Sequence, residues 1–154
     1  MVFESSWPAA AIAEFARDVR ESSLKRFRLV RQQDYGWSER PDLLSFVDVL
    51  QHLVDADRWL FAWLDGRGES SGVTISPGDA NPARWDSLLE ELALLGVERT
   101  SRIAALASED LACRQFDLGR RGIVGLPQLI LRCNIDHEIH HRGALQLALR
   151  LRYG

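Results

Sequence analysis

The chain has 154 residues, of which 46% are hydrophobic, 27% charged and 8% aromatic, and its formal net charge is −3. This composition excludes a disordered or low-complexity chain, and the near-neutral charge argues against a nucleic-acid-binding protein, which would need a strongly basic face. No apolar run reaches the roughly 18 residues that span a bilayer, and two cysteines are too few for a disulfide framework. We therefore expect a cytoplasmic protein that acts away from membranes.

The first predicted helix covers residues 8–33. Pro8 suits the first turn of a helix, and the residues before it carry Glu4 and no basic region, unlike a secretory signal peptide. Residues 34–41 contain a glycine and end in a proline, which is typical of a connection. The apolar residues of the helix recur at helical spacing: Ile12, Phe15, Val19, Phe27 and Val30.

The second predicted helix covers residues 42–64, with Asp42 as its cap or as an acid of its first turn. Apolar side chains cover most of the circumference of this helix, which is typical of a helix that is buried on more than one side. We therefore expect it to be central in the fold or to face a second copy of the chain, and we predict a homodimer.

The remaining chain predicts two further helices. Residues 66–82 are rich in glycine, serine and proline and indicate a loop, and residues 83–108 follow as the third helix. Residues 111–125 are expected to form an irregular crossover with a short extended pair, and residues 126–151 form the fourth helix. Four long helices predict an all-α bundle, which we expect to be a single domain over residues 1–154.

Three of the four histidines are predicted to lie on core-facing stripes. His137 and His141 are one turn apart on the fourth helix, and His52 lies in the middle of the second. Imidazoles on facing helices are a common way for helical bundles to bind metal ions, and three ligands leave a coordination position open, as in catalytic zinc sites. The other interpretation is that these histidines are hydrogen-bonded core residues, and the pattern alone leaves both open.

Several neighbours of these histidines are candidates for supporting roles. Asp48 and Asp55 flank His52 by about one turn, so either of them, or Asp136, could accept the second ring N–H of a ligand. Cys133 lies one turn before the histidine pair and could supply a thiolate, although a free cysteine is more often a small buried apolar residue.

Four further residues are candidates for contact with a substrate. Trp59 and Trp63 could line a pocket for an apolar electrophile, or could simply pack in the core. His140 could act as a general base or contact a neighbouring helix. Arg142 could bind an anionic group of a substrate or pair with a nearby acid.

Residues 137–141 (HEIHH) also match the H-E-x-x-H motif of zinc proteases, in which Glu138 would be the general base. The residues after His141 contain no histidine or acid that could be a third ligand, and no neighbouring sheet is predicted. Glu138 also points about 100° away from His137 on a helix. A protease is therefore the less favoured interpretation.

Two segments of the chain resemble the DinB-like (DinB/YfiT-like) family. The segment NIDHEIHHRGALQLALRLRYG is similar to the family pattern H-x-x-x-H-R-G-Q followed by an apolar run, and SFVDVLQHLVDADRWLFAWL is similar to the second helix of the family with its single histidine. The resemblance covers nearly the whole chain and is specific at these two segments. One residue departs from the pattern, because Ala144 stands where the family has glutamine.

The resemblance implies a four-helix bundle with a long crossover connection, often dimeric. It further implies a divalent metal ion, such as zinc, nickel or iron, held by His52, His137 and His141. Related enzymes are mostly S-transferases that act on small electrophiles with a low-molecular-weight thiol of the bacillithiol, mycothiol or glutathione type, in stress or detoxification chemistry. A metal-dependent hydrolase, and a non-catalytic helical ligand-binding or stress protein with a degenerate site, are the alternatives.

Overall fold

The computed structural model describes residues 7–154, and most of these residues are helical. Two short strands, β1 (Gln115–Asp117) and β2 (Ile123–Gly125), pair antiparallel and form the only sheet in this part of the chain. The predicted all-α class is confirmed in this coarse sense. The six α-helices are α1 (Ala9–Phe27), α2 (Phe46–Leu64), α3 (Pro82–Ala104), α4 (Ser108–Cys113), α5 (Leu126–Ile130) and α6 (Asp136–Tyr153).

The ends of the first two long helices differ from the prediction. Helix α1 stops at Phe27, and a separate 3₁₀ turn at Gln32–Asp34 follows it. Helix α2 begins four residues later than predicted, because Ser45 and Asp48 form a capping box that satisfies the free N–H groups of its first turn. Asp42 is not the cap; its carboxylate pairs with Arg40 in the preceding segment.

The short extended pair expected within residues 111–125 is present as a hairpin between α4 and α5, although residues 111–113 belong to α4. A tight 3₁₀ turn at Gly119–Arg121 connects the two strands, and its flanking glycines, Gly119 and Gly122, have positive φ angles of 63° and 85°. This left-handed conformation is accessible to glycine at little cost. Phe116 from β1 is buried in the core, which ties the hairpin to the helices.

The last predicted helix is a continuous helical segment with a change of pitch in its middle. Helix α5 leads into a π-helical turn at Leu131–Ile135, and α6 continues from it. Such π turns are rare and occur often at functional sites. In this turn the side chain of Asn134 is buried and hydrogen-bonds to Arg99 and Asp57. The turn thus serves to direct a polar side chain into the interior.

The apolar core has two parts, separated by a layer of buried charged groups. One part includes Leu50 and Trp85, and the other includes Leu60 and Ile103. Each long helix crosses both parts and carries one charged side chain between them, exposed by no more than 4%. These side chains, which we call the ion cluster, are Arg20, Asp57, Arg99 and Glu138.

The ion cluster is neutral overall and closely connected. Arg20 donates to both oxygens of Glu138 at 2.9 and 3.0 Å and pairs with Asp57 at 2.8 Å. Arg99 donates to Glu138 at 2.7 Å and to Asn134 at 2.9 Å. Two guanidinium groups and two carboxylates therefore compensate one another where single buried charges would be costly.

Most of α2 is buried within the chain itself, which confirms its predicted central position. It packs against α3, α6 and the π turn, so its apolar circumference is explained without a second copy, and the homodimer stays a prediction. No helix in residues 7–154 combines the length and the apolar character needed to cross a membrane.

Candidate metal centre

The three predicted histidines come together between α2 and α6. His52 is 4% exposed, and His137 and His141 are half-buried. The Nε2 atom of His137 lies 2.9 Å from that of His52 and 3.1 Å from that of His141. The three rings meet edge to face, with centroids 4.6 to 4.8 Å apart. We call this group the histidine triad.

Hydrogen bonding alone does not explain why these nitrogen atoms converge. An imidazole nitrogen has either one hydrogen or one lone pair, so the Nε2 atom of His137 can form only one of its two close contacts as a hydrogen bond. In the other contact, the two nitrogen atoms would then lie close together without a hydrogen bond of their own. A cation between the nitrogens removes this conflict, because it interacts favourably with all three lone pairs.

The environment keeps the triad in the form that binds metal ions. Burial, together with the neighbouring imidazoles, lowers the pKa of His137 to about 4 and that of His141 to about 3. Burial also lowers the pKa of His52. Because a metal ligand must be a neutral imidazole with a free lone pair, the triad is ready to bind at neutral pH without first losing protons.

The donor set fits a divalent metal ion. Three ligand nitrogens lie within 4.8 Å of one another. Nitrogens bound at 2.0–2.1 Å in a tetrahedral arrangement are about 3.3 Å apart, close to the two spacings observed here. Two buried nitrogens, the Nδ1 atoms of His52 and His137, have no hydrogen-bond partner among residues 7–154.

The ion cluster determines which way the triad faces. Glu138 follows His137 directly, and its side chain is held by Arg20 and Arg99 on the side of α6 that faces α1 and α3. Because neighbouring residues of a helix differ by about 100° in direction, this contact turns His137 and His141 towards α2. The π turn just before α6 holds the same orientation through Asn134.

Glu138 is therefore not the general base of a zinc protease. Both of its oxygens accept hydrogen bonds from arginines, and it is fully buried away from the open side of the triad. Although burial by itself raises it, the guanidinium groups of Arg99 and Arg20 hold the pKa of Glu138 at about 2. The carboxylate thus remains ionised and paired, and the protease interpretation fails on this geometry.

The predicted carboxylate partners of the histidine rings are engaged elsewhere. Asp48 accepts hydrogen bonds from the backbone N–H groups of Ser45 and Gly78, and Asp55 accepts one from the side chain of Gln51. Asp136 lies in the exposed first turn of α6. The second ring nitrogens of His52 and His137 thus lack the predicted partners within the described chain.

A cavity of about 220 Å³ opens on one side of the triad, and we call it the His52 cavity. The predicted pocket residues Trp59 and Cys133 line it, whereas Trp63 packs against the ring of Phe116 instead. Burial raises the pKa of the Cys133 thiol, and its sulfur is not among the clustered ligand atoms. The full lining is His52, Trp59, Val73, Ile75, Arg121, Cys133 and His137.

A second cavity, of about 260 Å³, lies on the other side of the triad between α6 and residues 37–49. His141 and His140 contribute to its wall, which is otherwise mostly apolar and includes Ala144, where the DinB-like pattern has glutamine. His140 is exposed, and its ring centroid is 5.3 Å from that of His141. Arg142 is half-buried and lines neither cavity.

Two features of the site are absent from the sequence-based hypothesis. The ion cluster was missed, although each member is a charged residue on the apolar face of its helix, which is a readable signal. Arg121 was also missed, and no pattern in the crossover indicates that it lines the His52 cavity.

Comparison of the chain with models of known protein families and with curated protein sequences finds no match. The fold and the site together define a helical protein with a histidine triad that could hold a divalent metal ion.

Proposed function

We propose that this chain is a metal-dependent enzyme of the DinB-like type, which transfers a low-molecular-weight thiol to a small electrophile. The observation that carries the proposal is the convergence of three neutral imidazoles on one point that is open to a cavity on either side. Zinc, nickel and iron all accept imidazole ligands, and the donor set does not distinguish between them.

His52, His137 and His141 would hold the ion. When bound there, a divalent ion lowers the pKa of a coordinated thiol, so that a thiolate nucleophile is available near neutral pH. The triad residues fix the position of this nucleophile, and the cavities on both sides leave room for an electrophile to approach. The indole of Trp59 offers an apolar wall for that second reactant.

The distribution of carboxylates favours thiol transfer over hydrolysis. Among the described residues, no aspartate or glutamate lines the His52 cavity, and Glu138 is held in the ion cluster; the one carboxylate in the wall of the second cavity is that of Glu39. In hydrolysis, a positioned general base speeds the reaction by accepting a proton from water. A thiol has an ordinary pKa of about 8.5 and ionises more readily than water, so it depends less on such a base. The site is therefore better suited to a thiol than to water as the nucleophile.

A metal-dependent hydrolase is the second candidate, and the observation in its favour is His140. Its exposed ring lies beside His141 at the wall of the larger cavity, where it could accept a proton from a water molecule. The two candidates thus differ in whether catalysis needs His140.

The first test is the metal content of protein purified without a histidine tag. We expect close to one equivalent of metal in the parent, loss of it in His52→Ala, and retention in His140→Ala, since His140 lies outside the triad. Absence of metal from the parent, even after reconstitution with zinc, nickel or iron, would contradict the proposal and leave the triad as core residues.

The second test measures metal-dependent consumption of glutathione, mycothiol or bacillithiol with a generic electrophile. We expect turnover that requires the metal and survives His140→Ala. Hydrolysis of ester or amide substrates that is lost in His140→Ala would favour the hydrolase. Metal binding without either reaction would indicate a non-catalytic ligand-binding protein.

A further inference from the structure

The His52 cavity contains one permanently charged side chain, that of Arg121. The other residues of its wall are two triad histidines, a thiol and three apolar side chains, and none of them is acidic. Within the described residues, no carboxylate lies within salt-bridge distance of Arg121. The two buried arginines, Arg20 and Arg99, are both paired in the ion cluster, whereas Arg121 lines the cavity and is exposed to solvent.

The backbone around Arg121 is shaped so that this side chain reaches the cavity. Arg121 ends the 3₁₀ turn between two glycines with positive φ angles, Gly119 and Gly122. Its guanidinium group lies against Gly72 of the loop before α3, where a Cβ atom would come within 3.2 Å of the terminal nitrogen. The absence of a side chain at Gly72 thus leaves space for the guanidinium group.

We propose that Arg121 binds a carboxylate of the small molecule that enters the His52 cavity. Such a ligand would place its carboxylate on Arg121 and its metal-binding group at the triad. This inference rests on the proposed metal site and deepens the proposed function by defining the substrate class as thiols, or other metal-binding small molecules, that carry a carboxylate.

Charge and size support this choice of ligand. The triad is neutral, so a divalent ion and Arg121 together make the cavity strongly positive, and an anion entering it meets no acidic side chain. A guanidinium group matches a planar carboxylate with two parallel hydrogen bonds. The volume of about 220 Å³ is below that of sites for drug-sized ligands, which indicates a small molecule.

The test uses the cobalt-loaded full chain and a matched pair of thiols. Binding of 3-mercaptopropionate and of 3-mercapto-1-propanol is followed by the sulfur-to-cobalt charge-transfer absorption, which reports occupancy and does not depend on turnover. We expect the carboxylate to bind about tenfold more tightly, the equivalent of one charge-assisted hydrogen bond.

Three variants test whether Arg121 causes the tighter binding of 3-mercaptopropionate. The difference in affinity between the two thiols should disappear in Arg121→Gln and return in part in Arg121→Lys. It should persist in Arg120→Gln, because the side chain of Arg120 does not line the cavity. Equal binding of the two thiols by the parent, or an advantage that survives in Arg121→Gln, would overturn the assignment.

A second ligand pair separates this inference from the proposed thiol chemistry. If cobalt binds but neither thiol does, the thiol proposal fails, and the monohydroxamate of succinic acid is compared with butyrohydroxamic acid, which binds the metal without sulfur. A preference for the succinate derivative that depends on Arg121 would then support the inference alone. Equal affinities would overturn it, and failure of cobalt to bind would remove both proposals.

Discussion

His137 and His141 have pKa values of about 4 and about 3, far below the value of about 6.5 that an unfolded chain gives them. The main cause is burial, which disfavours the charged imidazolium, and the neighbouring imidazoles add to it. These residues therefore remain neutral in the folded protein at pH values where they would be protonated in the unfolded chain. Without a bound metal, this difference makes stability depend on pH.

We predict that the metal-free protein becomes less stable as the pH falls from about 7 to about 4. Below pH 6.5 the unfolded chain binds protons on His137 and His141 that the folded state does not bind until pH 4 or 3, so the free energy of unfolding decreases. Urea denaturation of metal-free protein at several pH values measures this slope.

The variants His137→Asn and His141→Asn should flatten this pH dependence, whereas His140→Asn should retain it. Between pH 7 and 5 Glu138 does not contribute: its pKa is lowered from 4.5 to about 2, so its stabilising effect is present above pH 4.5 and is lost as the pH falls below that value. A free energy of unfolding that stays constant between pH 7 and 5 would contradict the assignment of neutral, buried histidines.

At the scale of single elements, the start of α2 shows how a helix end depends on one local pair. Ser45 followed by Asp48 is a capping-box pattern that is readable in the sequence, yet the predicted start was placed at Asp42. The carboxylate of Asp48 also accepts the N–H of Gly78, which joins the long loop to α2. Asp48 thus holds an element in place and does not orient His52.

We predict that Asp48→Ala lowers the free energy of unfolding by about 1–2 kcal/mol, the usual effect of removing a helix cap, and leaves metal stoichiometry unchanged. The matched control is Asp42→Ala, whose exposed ion pair with Arg40 should change stability by no more than about 0.5 kcal/mol. Urea denaturation and metal titration check both variants. Loss of metal in Asp48→Ala would instead indicate that the carboxylate supports the triad.

At the scale of the whole molecule, the ion cluster connects all four long helical segments at the level of the triad. Its members are paired across as many as 118 residues of chain, as between Arg20 and Glu138. Gly96 in α3 makes this possible, because a Cβ atom there would lie 2.7 Å from the Cγ atom of Arg20. Close packing of α1 against α3 is thus a condition for the buried pairs.

We predict that Gly96→Ala lowers the free energy of unfolding by about 1–3 kcal/mol, because the added methyl group displaces Arg20 from the cluster. The control is Gly143→Ala in α6, where nothing lies within 4 Å of the added atom. There we expect a gain of about 0.5–1 kcal/mol from the higher helix propensity of alanine. A stabilising Gly96→Ala would show that Arg20 can move at no cost.

Local patterns in the sequence were sufficient for the helical class, the approximate extent of the four long helical segments, and the histidines that form the triad. The reason is that helix periodicity places residues on faces, and His52, His137 and His141 all lie on core faces. Periodicity does not say which neighbour a core face will meet, nor where a buried charge will find its partner.

The tertiary structure alone determines which groups meet in the core. Three features depend on contacts between segments that are distant in the chain: the pairing of Glu138 with Arg20 and Arg99, the π turn at Leu131–Ile135, and the position of Arg121 in the wall of the His52 cavity. A buried charge is stable only where opposite charges from other elements meet it, so its role is decided when the helices pack together.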